Sequence, residues 1–86
     1  MSLLEPIQHE VTAADDARRI HMVLAQTVTM LQRSLQQVSQ ITKHRGRKEI
    51  DAALGADAAQ LPMIYGQLQK ALQQIDPARK VPDLPD

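Results

Sequence analysis

At 86 residues the chain holds one domain at most, and a chain of this size buries only about 60–65% of its unfolded surface, so a lone core is marginal. It has no Cys, Phe or Trp and one Tyr, which excludes a disulfide framework and a thiolate zinc site and leaves Leu, Ile, Val, Met and Ala, a helix-forming set. Ten Lys and Arg balance ten Asp and Glu, so no global field drives the molecule onto nucleic acid or an anionic membrane, and any such contact is local.

The expectation is an all-α chain, and the lack of Cys fits a reducing, cytoplasmic setting. Residues 1–12 read as a flexible arm: Glu5, Pro6 and His9 interrupt its apolar residues, and it lacks the basic start and long apolar core of a signal peptide or membrane span. Thr12 followed three residues later by Asp15 has the form of a capping box, with Asp15 and Asp16 at the favourable end of the helix dipole.

A first helix is therefore expected from 13 to about 43, roughly 45 Å long. Ile20, Leu24, Val28, Leu31, Leu35, Val38 and Ile41 recur at spacings of three and four, the pattern of one buried face. At about 100° per residue, Val23, Met30 and Ile41 widen this stripe on one flank, and Val28 and Leu35 widen it on the other. The stripe then spans roughly 160°, broader than one antiparallel neighbour covers. Gln26, Arg33, Gln36, Gln37 and Gln40 lie on the opposite, solvated face.

The run "KHRGRK", Lys43 to Lys48, comes next. Lys43, Arg45, Arg47 and Lys48 around Gly46 form a candidate anion-binding turn for phosphates. The same residues describe a helix end equally well, with cations on the negative end of the dipole and a glycine just past it. No aromatic lies nearby to stack a base and no second basic cluster extends the patch, so the helix-end reading is preferred.

Lys48 to Leu54 predicts a short helix with Ile50, Ala53 and Leu54 inward, stopped at Gly55. Asp57 then serves as the cap of a third helix, about 58–75, with Leu61, Ile64, Tyr65, Leu68, Leu72 and Ile75 inward. One continuous helix from 48 to 75 is the alternative, disfavoured because it sets the Asp57 carboxylate on the apolar face. Pro62 should loosen the start of the third helix, and Tyr65 should pack its ring while keeping its hydroxyl wet. Residues 76–86 form a Pro-rich tail with little apolar surface, expected to be disordered or docked on a neighbouring molecule.

The chemistry-bearing residues do not assemble into a catalytic pattern. His9, His21 and His44 lack the spacing of two ligands on one helix face, Ser34 and Ser39 have no base beside them, and a Gly-rich phosphate loop is missing. Asp15 with Arg19 reads as a surface pair, and Met22 and Met63 fall on polar faces where they can mark a partner surface.

The expectation is thus a helical hairpin over 13–75 that pairs into a dimer with a four-helix core through Ile20, Leu24, Val28, Leu31, Leu35 and Val38. It would act without cofactor, metal or membrane contact as a non-catalytic assembly or interaction module, engaging its own copies or another protein. The alternative is a nucleic-acid-binding hairpin dimer that uses the basic turn.

Overall fold

The computed structural model describes residues 12–86, and among these it is all-helical, with no strand. The expected arm at 1–12 lies outside the described residues except for Thr12. Helix α1 spans Ala13–Arg45, α2 spans Arg47–Leu54, a 3₁₀ stretch covers Gly55–Ala59, and α3 spans Gln60–Ile75. None of these helices is long and apolar enough to cross a membrane.

The capping box forms as its residues predict: Asp15 N–H donates to the Thr12 hydroxyl at 3.3 Å, and the Thr12 N–H donates back to the Asp15 carboxylate at 3.2 Å. That carboxylate pairs with Arg18 at 3.0 Å, one residue earlier than the expected partner Arg19. Helix α1 ends at Gly46, whose φ of 99° is open to glycine at little cost and whose N–H closes the last turn onto the Thr42 carbonyl at 2.8 Å.

A break at Gly55 separates α2 from the 3₁₀ stretch, with φ 59° and the glycine N–H bonded to the Asp51 carbonyl. Asp57 does not cap the third helix. It sits inside the 3₁₀ stretch, and α3 begins at Gln60 without a side-chain cap. Pro62 supplies the reason: its ring would clash with the carbonyl of Ala58 in a regular α-helix, so the chain winds more tightly up to Ala59. Placed in the first turn of α3, Pro62 needs no hydrogen-bond donor.

Helix α3 runs back along the C-terminal part of α1, with Tyr65 and Leu72 buried against Leu35, and Val28, Leu31 and Val38 packed around them. The inner face of α1 is completed by Ser39 and Thr42 rather than Ile41, which is 52% exposed. Thr42 tolerates burial because its hydroxyl donates to the Val38 carbonyl at 2.8 Å, leaving its methyl free to pack. Helix α2 has no fully buried residue: Ala53 is exposed, contrary to the inward placement its spacing predicts, while Leu54 is 39% exposed and lines the side toward α1 and α3.

The tail packs against the helices of its own chain. It turns at Pro77 and Ala78 and folds back on its own chain, burying Val81 in the core and packing Leu84 beside it. Three side chains along its path, two on α3 and one on α2, donate to its carbonyls. Gln69 reaches Val81, the Tyr65 hydroxyl reaches Pro82, and Arg47 reaches Pro85. Prolines need no backbone donor satisfied, so a Pro-rich segment can be buried through its carbonyls alone.

Candidate functional site

The six residues expected to form an oligomer interface do not stay together on the surface. Leu35 is buried inside the chain, and Val28, Leu31 and Val38 pack against the same core, whereas Ile20 and Leu24 remain 60% and 59% exposed. The inner half of the broad stripe is used by α3, and the outer half is exposed among the described residues.

That outer half is more regular than the apolar stripe alone suggests. Asp16, Ile20, Val23, Thr27, Met30, Ser34, Val38, Ile41 and Arg45 all fall within about 50° of one line along α1 at 100° per residue. Apart from the half-buried Val38 they are all exposed, with Met30 at 66%. Thr27 keeps its hydroxyl on the Val23 carbonyl at 2.9 Å and so presents its methyl outward at low polar cost. The alternation of three and four is visible in the sequence, but Thr27 and Ser34 interrupt its apolar character and hide the line.

At Val38 this line meets a shallow groove of about 360 Å³ between α1 and α3, floored by Leu35 and Tyr65 and walled by Leu54, Leu61, Ile64 and Leu68. Asp57 and Gln60 stand on its lip. Exposed apolar side chains, separated by Thr27 and Ser34, therefore lead along α1 from Ile20 to the groove.

The basic turn is partly neutralised from within. Arg47 pairs with Asp51 at 2.9 Å while bonding the Pro85 carbonyl, and Arg45 lies 3.7 Å from Glu49. Lys43 and Lys48 are exposed and form no ion pair among the described residues. Arg47, bonded to both Asp51 and Pro85, thereby serves as a clamp on the tail.

Tyr65 departs from its expected wet edge position: it is 4% exposed, and its hydroxyl is spent on the tail. Burial raises its pKa above the ordinary phenol value; a side-chain hydrogen bond with Ser39 pulls it down and the Asp83 carboxylate adds to the rise. Ser39 is buried and Ser34 exposed. His21 and His44 stand exposed, His9 lies outside the described residues, and no metal-sized cluster of His, Asp or Glu occurs among the described residues. Met22 and Met63 are 59% and 55% exposed, away from the α1 line.

Compared with protein-family models, curated proteins and solved structures, the chain matches none.

Proposed function

We propose that the chain is a small, non-catalytic assembly module that works through helix–helix contacts. The exposed apolar line of α1, Ile20, Val23, Met30 and Ile41, together with the adjoining α1–α3 groove, is the observation that carries this reading. Association of an amphipathic helix with this surface would complete a bundle of coiled-coil type, with knobs from the incoming helix entering the groove. Among the described residues α3 does not extend along the N-terminal part of α1, so stability gains directly from covering that part.

The alternative, phosphate recognition by Lys43, Arg45, Arg47 and Lys48, draws on the two unpaired lysines but loses Arg47 to the tail and half of Arg45 to Glu49. A photo-crosslinking side chain in place of Met30, used in the native host, separates the two. An adduct to a polypeptide that persists in high salt supports assembly through α1. A salt-sensitive adduct to nucleic acid, formed from a probe at Lys48 and not at Met30, favours the alternative. If position 30 gives no adduct at all, the assembly reading fails.

A further inference from the structure

We infer that the occupant of the α1 line is a second copy of this chain, bound antiparallel about a dyad between Met30 and Leu31; the inference rests on the assembly reading and names its partner. The chemistry of the line is palindromic about that point. Residues whose numbers add to 61 stand at the same level when two α1 helices are set antiparallel on this dyad. Ile20 then meets Ile41, Val23 meets Val38 and Thr27 meets Ser34, while Met30 lies beside its own copy across the dyad. Any heptad-spaced line can be reversed onto itself, so spacing alone argues nothing. The weight lies in the matching of like with like at each level: branched with branched and hydroxyl with hydroxyl.

The charges select the direction. The line begins at Asp16 and ends at Arg45, which also add to 61, so antiparallel pairing sets each acidic end beside a basic one. Parallel pairing would instead stack Asp16 on Asp16 and Arg45 on Arg45, and align the two helix dipoles unfavourably. The fold adds a geometric match. In each chain the C-terminal half of α1 carries the groove, and the N-terminal half carries Ile20, Val23 and Leu24, exposed among the described residues. Antiparallel pairing brings the bare half of each copy to the grooved half of the other, twice over, as a two-fold interface requires.

Disulfide trapping reads out both partner and direction, because the natural chain has no cysteine. Thr27→Cys and Ser34→Cys are made separately; both sites are exposed, and circular dichroism checks that each variant folds. The two proteins, one carrying a size tag, are mixed under mild oxidation at micromolar concentration. The expected product is the mixed dimer joining position 27 to position 34, several-fold in excess of either symmetric dimer. Predominance of the symmetric 27–27 and 34–34 products would mean parallel pairing and overturn the inference. Absence of every crosslink would overturn it too, and the Met30 crosslinking in the host then decides separately whether the assembly reading survives with a different partner.

Discussion

Tyr65 concentrates the chemistry that closes the fold. Its ring is in the core and its hydroxyl holds the Pro82 carbonyl, so Tyr65→Phe should cost about 1 kcal/mol and loosen the tail, measured as a lower urea midpoint. Its pKa is raised in the folded state, so the unfolded chain loses that proton first as pH climbs. The corresponding stability is complete below the ordinary phenol value of about 10 and declines as pH rises through the folded value. Urea midpoints of the natural chain should therefore fall between about pH 9 and pH 11 by more than those of Tyr65→Phe; parallel curves would contradict the linkage. At Gly46 the space around the missing Cβ is empty, yet φ is 99° with ψ 138°. Gly46→Ala should thus destabilise by about 1–3 kcal/mol through backbone strain alone, checked by thermal unfolding.

At the scale of elements, the capping box, the stop at Gly46 and the break at Gly55 were legible because each depends on residues within one turn of one another. The start of α3 was not, since the Asp57 cap and the Pro62 ring make competing local demands and only the built backbone shows that the proline prevails. With the cap unmade, Asp57→Ala should change stability by less than about 0.5 kcal/mol in urea titration. The tail escaped prediction for a different reason. Its composition offers little apolar area, but Val81 and Leu84 fall where α1 and α3 leave a gap, and the three carbonyl contacts come from residues 12 to 38 positions away. No local pattern encodes such distant partners. Removal of residues 76–86 should lower stability by at least about 2 kcal/mol, roughly the burial of one Val plus part of its hydrogen bonding, and urea unfolding measures it.

Residues 12–86 form an extended body, 69 × 26 × 19 Å with a radius of gyration of 20.2 Å, against about 11 Å for a compact chain of that length. Its elongation arises from the unequal helices: α1 has 33 residues and α3 has 16, so the return arm covers only part of the rod. The width of the α1 stripe announced this shortage of cover, while the division into a face used internally and a face left bare required the position of α3. Val23, Met30 and Ile41 read as mere widening of a stripe, yet they belong to the uncovered line.

Sedimentation equilibrium at micromolar concentration tests the assembly of two chains most directly, run on the natural chain beside Met30→Glu. Met30 is 66% exposed, so the substitution should leave the fold of a single chain within about 0.5 kcal/mol while setting a carboxylate at the centre of the paired helices. The expected result is twice the single-chain mass for the natural protein and the single-chain mass, with unchanged helix content, for Met30→Glu. A natural chain that sediments as a folded monomer would contradict the account.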